Sequence, residues 1–135
     1  MERARRSAAT SRTGRQTVLL AEDDPDLRSM YTIWLGTAGF DVLAAADGAE
    51  ALELWDHADA DPPALVLTDW MMPFIDGVEL ARRIRAHPAN GKVPIIVLSA
   101  FPEPPTVELA ELQLHFRSKT EPWSELAPLL AQLIA

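Results

Sequence analysis

Short apolar runs without a helical period recur along this chain, and longer segments with such a period separate them. Ala64-Leu65-Val66-Leu67 is the clearest run, and it breaks at Thr68-Asp69. It has the form of a strand buried on both faces of a parallel sheet. Thr17–Ala21 and Val93–Leu98 read the same way, and Phe40–Ala45 makes a further short strand. Between them, Pro25 to about Ala38 predicts a helix with Leu27, Met30, Tyr31 and Trp34 on one face. Asp24 is placed to cap it and Gly39 to stop it. Asp47-Gly48-Ala49-Glu50 is a capping box for a second helix, which turns Leu52 and Trp55 inward. Asp59 to Pro63 reads as a loop. Val78 to about His87 predicts a third helix, with Leu80, Ala81 and Ile84 inward and Arg82, Arg83 and Arg85 mostly in solvent. His87-Pro88-Ala89-Asn90-Gly91 ends it with turn residues.

Beyond Ser99-Ala100 the pattern loosens. Pro102, Pro104 and Pro105 forbid a helix start before about Pro105, so Thr106–Leu112 has room for two turns at most. Leu114–Ser118 follows as a short strand, and then a C-terminal helix interrupted by Pro128. Strands and helices thus alternate five times, the pattern of an α/β fold whose parallel sheet carries helices on both faces.

Composition narrows the class. A chain of 135 residues, 48% hydrophobic and 24% charged, supports one globular domain. Without cysteine there are no disulfides, thiolate metal sites or cysteine nucleophiles. No apolar run approaches the ~18 residues of a membrane span, and no signal peptide is evident, so a cytoplasmic protein is expected. The net charge of −8 is unevenly spread. Residues 1–16 carry Arg3, Arg5, Arg6, Arg12 and Arg15 against Glu2, which is +4 and leaves −12 for the rest. The expectation is a basic, disordered tail over 1–16 and a folded domain over 17–135. So acidic a body does not bind nucleic acid, and only the tail could do so weakly.

The strand ends carry the chemistry. Glu22-Asp23 follow the first strand, Asp69 ends the third, Ser99 the fourth, and Lys119 comes after the fifth. In a parallel sheet these ends share one edge, where open α/β sheets place their sites. Carboxylates ~4 Å apart repel by about 4 kcal/mol at an effective dielectric of 20. Such a cluster calls for a proton, a cation or a lysine. All-oxygen ligands suit Mg²⁺, which keeps several waters and shares phosphate oxygens.

With these residues in place, the chain resembles the receiver domains of two-component response regulators over residues 17–134. The motifs are Glu22-Asp23, Asp69 with Met72-Pro73 and Gly77 behind it, Ser99-Ala100, and Lys119. The resemblance implies a doubly wound, flavodoxin-like sheet of five strands in the order 2-1-3-4-5. It implies that Asp69 is the phosphoacceptor and that Glu22, Asp23, Asp69 and the backbone carbonyl of Met71 hold Mg²⁺, with Mn²⁺ as an alternative. Ser99 and Lys119 would bind the phosphoryl group, and Phe116 occupies the switch aromatic position. Met71 and Phe101 would flank the path of the hydrolytic water, while small Ala100 leaves a path for the donor. The implied partners are a histidine kinase or histidine phosphotransfer protein and an unidentified downstream protein. The chain would be a single-domain regulator rather than a turnover enzyme.

Several positions depart from the family pattern. Thr120 replaces the proline that usually follows the lysine, Leu112-Gln113 stand for a Gly-Ala turn, and Arg117 takes an aliphatic place. The shortened fourth helix and the fifth helix disturbed by Pro128 favour one alternative, a receiver-like adaptor that works without phosphorylation. A haloacid-dehalogenase-like phosphohydrolase would need a second Asp two residues after the nucleophile, where Met71 stands.

Overall fold

The computed structural model describes residues 14–58 and 61–134. The arginines at positions 3, 5, 6 and 12 of the basic tail, and the first two residues of the 59–63 loop, lie outside the described residues. Five strands alternate with five helices: β1 (Thr17–Ala21), α1 (Pro25–Thr37), β2 (Asp41–Ala45), α2 (Gly48–His57), β3 (Leu65–Asp69), α3 (Gly77–Arg85), β4 (Ile95–Ser99), α4 (Thr106–Glu111), β5 (His115–Ser118) and α5 (Trp123–Ile134). All pairings are parallel, in the order β2-β1-β3-β4-β5. The order reverses at β1 and β3, which puts the switch point of the sheet between them.

The unbroken apolar runs follow from burial on both faces. Leu19, Val66, Ile95 and Val97 pack with Trp55, Leu80 and Ile84 of α2 and α3 on one side. Their alternates Val18, Leu20, Leu65, Leu67, Ile96 and Leu98 pack with Tyr31, Leu35, Leu126 and Leu130 of α1 and α5 on the other. Every residue of β3 and β4 is buried. Burying a side chain of this kind contributes about 1.5–3 kcal/mol, so these two strands dominate the core.

The expected caps are present. Asp24 Oδ1 accepts from the amides of Asp26 and Leu27 at 2.8 and 3.2 Å. Asp47 Oδ1 accepts from Glu50 N at 2.8 Å, and Glu50 Oε1 in turn from Ala46 N at 2.7 Å. Gly39, at φ 100°, closes α1. The fourth helix is short, six residues from Thr106, and Pro105 before it offers no side-chain cap.

Two expectations need correction. Pro128 does not interrupt the last helix, which runs unbroken from Trp123 to Ile134. Its ring faces solvent while Leu126 and Leu130 are buried, and that packing outweighs the hydrogen bond the proline cannot donate. Arg85 is not solvated like its exposed neighbours Arg82 and Arg83. Its guanidinium donates to Gly91 O at 2.8 Å, Val93 O at 2.6 Å, Leu112 O at 2.8 Å and Gln113 O at 3.3 Å. Burial lowers its pKa, but four carbonyls satisfy its donors. Gln113 takes the left-handed conformation, φ 55°, that a glycine would adopt without strain. Arg85 therefore ties the α4–β5 turn to the α3–β4 loop.

Arg85→Ala should lower unfolding stability by about 2–3 kcal/mol, the scale of charged hydrogen bonds left unmade. Arg85→Lys should recover little, because an ammonium cannot span both loops. A lysine variant as stable as wild type in urea denaturation would show that the fork geometry is irrelevant.

Candidate functional site

Strand register builds the site. Ala21 pairs with Thr68, Asp69 with Leu98, and Ser99 with Ser118. Glu22, Asp69, Ser99 and Lys119 therefore emerge from four strands at one edge of the sheet. Glu22, Asp69 and Ser99 are buried, at 1%, 2% and 3% exposure. Asp23 is exposed at the rim.

Lys119 Nζ lies 2.6 Å from Asp69 Oδ1 and 3.3 Å from Glu22 Oε1. One ammonium thus faces two buried carboxylates. Carboxylate oxygens of Glu22, Asp23 and Asp69 all lie within 4.8 Å of one another. Asp69 Oδ2 is buried without a hydrogen-bond donor. An uncompensated hard oxygen inside a three-carboxylate set fits a divalent cation such as Mg²⁺.

The supports are local. Asp24 N donates to Glu22 Oε2 at 3.0 Å, and Arg28 Nη1 to Glu22 O at 2.9 Å. The Thr68 hydroxyl donates to Asp69 O at 2.9 Å. A Cβ on Gly77 would stand 2.0 Å from that same carbonyl, so the close approach of α3 to the strand end requires glycine. Lys119 N donates to Ser99 O at 2.9 Å, and Ser99 Oγ accepts from Phe101 N at 2.9 Å. No cis peptide occurs among the described residues, and Ser118 Oγ accepts from Thr120 N at 3.1 Å in the turn after Lys119. Arg117, at its unusual place on β5, pairs with Glu121.

A pocket of about 60 Å³ opens over Asp69, lined by Met71, Ser99, Ala100, Phe101 and Lys119 among others. Phe116, on β5, stands outside it and meets Trp70 edge to face at 6.1 Å. All the residues read from the sequence gather at this edge except Phe116, which lies one contact away, behind Trp70. Arg28 and Thr68 were not anticipated. A threonine before the aspartate was visible in the sequence, but its hydroxyl bond was not; Arg28 left no pattern at all.

Burial, then the neighbouring Glu22, pushes the Asp69 carboxyl up to about 8 against the pull of Lys119. Burial disfavours the charge on Lys119, but Asp69 and Glu22 outweigh it and raise its pKa. Burial and Glu22 also raise Tyr31, a buried side chain of α1 within electrostatic reach of the site. A carboxyl whose folded pKa exceeds its unfolded one costs stability as pH rises. Below about 4 both states hold the proton; between there and about 8 only the folded one does; above, the full penalty applies. Asp69→Asn, which leaves Glu22 and Lys119 as a one-to-one pair, should therefore melt higher than wild type at pH 8 in EDTA. The gain should shrink toward pH 5. A variant that melts lower at pH 8 would mean that the Asp69–Lys119 attraction exceeds the burial cost.

Comparison with known proteins gives the site its context. The family profile described as the response regulator receiver domain matches residues 18–115. The chain is 43% identical over 86 residues to the sensor histidine kinase TmoS of Ectopseudomonas mendocina, covering 64% of this chain and 8% of that protein. It is 40% identical over 88 residues to the DNA-binding response regulator MtrA of Mycolicibacterium smegmatis, covering 65% of this chain and 36% of that one. The chain therefore spans a minor part of both relatives. The crystal structure of chemotaxis protein CheY4 of Vibrio cholerae matches with a TM-score of 0.78 at 26% identity, covering 88% of this chain and 98% of that chain. Sheet order, site geometry and these likenesses agree, and the chain belongs to the response regulator receiver domain family.

Proposed function

We propose that Asp69 accepts a phosphoryl group from the phosphohistidine of a histidine kinase or phosphotransfer protein, and that the phosphorylated domain signals by protein contact. The observation that carries this reading is Lys119 Nζ at 2.6 Å from Asp69 Oδ1 beside a buried, unpartnered Oδ2. A carboxylate oxygen of Asp69 attacks phosphorus; the O–P bond forms as the P–N bond to the donor breaks. The donor nitrogen keeps the electron pair. Such a transfer depends on positioning and charge neutralisation more than on acid–base chemistry. Lys119 supplies one positive charge, and the Ser99 hydroxyl can donate to a phosphoryl oxygen. Glu22, Asp23, Asp69 and the Met71 carbonyl would hold Mg²⁺, which when bound neutralises phosphoryl oxygens. In this reading residues 17–135 form the receiver unit, and the protein takes part in its own phosphorylation without being a turnover enzyme. No helix among the described residues is long and apolar enough to cross a membrane.

A second reading, an adaptor that works without phosphorylation, draws on the six-residue, uncapped α4. Acetyl phosphate with Mg²⁺ should add one phosphoryl mass to wild type and none to Asp69→Asn or to an EDTA-treated sample. An unlabelled wild type would favour the adaptor.

Hydrolysis of phospho-Asp69 needs a water in line behind phosphorus. Met71 and Phe101 line the pocket there, both apolar, and neither can orient a water. Phosphoryl loss should be slow, and Met71→Asn or Phe101→Ala should speed it by roughly tenfold or more, since misplacing a reactant costs on that scale. Equal rates in wild type and Phe101→Ala would show that no shield exists.

A further inference from the structure

Lys119 is held differently from the rest of the site. Glu22, Asp69 and Ser99 are buried and end or follow strands paired on both sides. Lys119 follows β5, an edge strand with no buried residue. Burial therefore does little to fix where its backbone stands, and a flexible four-carbon stem does not fix where its ammonium lands. Polar bonds close the turn instead. Lys119 N donates to Ser99 O at 2.9 Å, and Glu121 N to Ser118 O at 3.1 Å. Ser118 Oγ accepts from Thr120 N at 3.1 Å and shares a 2.8 Å hydrogen bond with the Thr120 hydroxyl. A serine oxygen accepting from the amide two residues on makes an ST turn, a bend set by a side chain rather than by proline or glycine. Arg117 pairs with Glu121 across the same turn. Ser118 is itself exposed and belongs to neither core, so its contribution is to the turn alone.

The place of that turn matters to the site. Ser118 is the last paired residue of β5, opposite Ser99, so its side-chain bonds stand where the strand releases Lys119. From there one ammonium has to meet Asp69 Oδ1 at 2.6 Å and Glu22 Oε1 at 3.3 Å together. A turn free to open beyond Ser118 would carry the lysine backbone with it. Misplacing a catalytic group by about 1 Å can cost on the order of 100-fold in rate. A proline at position 120 would have no amide hydrogen for Ser118 to accept. Resting on the assignment of Asp69 as phosphoacceptor, we propose that Ser118 is a positioning residue: through its bonds to Thr120 it aims Lys119 at Asp69 and so sets the rate of phosphoryl transfer. Arg117 and Glu121 brace the same turn from its other side. Thr120 and Arg117, both unlike the family pattern, thus belong to one polar device.

Labelling of the full chain by acetyl phosphate and Mg²⁺, followed by intact mass, tests this. Ser118→Ala should slow labelling by about fivefold to tenfold, while its urea midpoint stays close to wild type. Ser118→Thr keeps the hydroxyl and should label within about twofold of wild type. Thr120→Pro should also label more slowly, although proline is the usual residue of the family there. In a Lys119→Ala background, read over longer incubations, Ser118→Ala should slow labelling no further, because residues that act as one unit are not additive. Equal rates in wild type and Ser118→Ala would overturn the proposal, as would a Thr120→Pro variant that labels as fast as wild type. A Ser118→Thr variant as slow as Ser118→Ala would overturn it too, by showing that the hydroxyl is not what matters. So would a further loss in the Lys119→Ala background, since the serine would then act on the fold rather than through the lysine. Failure of acetyl phosphate to label wild type would instead sink the phosphoacceptor assignment, and this proposal with it.

Discussion

One ammonium facing two buried carboxylates is the constraint around which the rest of this domain is arranged. Lys119 reaches both Asp69 and Glu22, but a single positive charge cannot balance two negative ones. Burial sharpens the imbalance, since an uncompensated charge in a low-dielectric site is costly. The protein accepts this cost at the edge of its most deeply buried strands. A carboxyl that keeps its proton is a poor nucleophile, so in the role proposed for Asp69 a second positive charge would both stabilise the site and ready the carboxylate for attack.

Holding charges this close requires a rigid frame, and parallel pairing supplies it. The register Ala21–Thr68, Asp69–Leu98 and Ser99–Ser118 leaves the reactive side chains no freedom to drift apart. A slip of one residue in β3 would turn Asp69 and its apolar neighbours to the opposite faces, which both cores forbid. Gly77 extends the frame, because only a residue without Cβ lets α3 begin against the Asp69 carbonyl.

Much of this was legible in the sequence because the causes are local or repetitive. A strand buried on both faces has to be a continuous apolar run, so β1, β3 and β4 showed plainly. Asp24 and Asp47 announced helix starts through spacing alone, and three prolines limited α4. The site was readable because parallel topology turns strand ends into neighbours. What escaped depends on contacts far apart in sequence. Arg85 looked like its solvated neighbours, yet its acceptors include carbonyls 27 and 28 residues away. Pro128 looked like a break, but α5 is held by packing on the sheet rather than by its own hydrogen bonds. Nothing in Pro73-Phe74-Ile75 gave away the sign of φ at Phe74. Its value is 68°, in a loop that approaches Gly48 and Gly77 too closely for a Cβ at either.

The same geometry determines where a change at Asp69 can be felt. Ser99 Oγ accepts from Phe101 N, which begins the proline-rich segment leading into α4. A serine hydroxyl has one hydrogen to give, so it can keep that bond and also donate to a phosphoryl oxygen. Movement of Ser99 toward such a group would draw Phe101 with it. Lys119 N is bonded to Ser99 O, so the β5 end is tied to the same residue. Phe116 on β5 packs edge-on against Trp70, the residue after Asp69, and adds a contact through side chains. Farther along, Arg85 clamps the α4–β5 turn to α3 and resists displacement of the whole edge. With prolines at one end of α4 and the arginine clamp at the other, Phe101–Pro105 is the stretch that joins Ser99 to the short helix. Under the proposed phosphorylation of Asp69, its physical consequence should therefore concentrate at the mouth of the pocket rather than spread along a long α4.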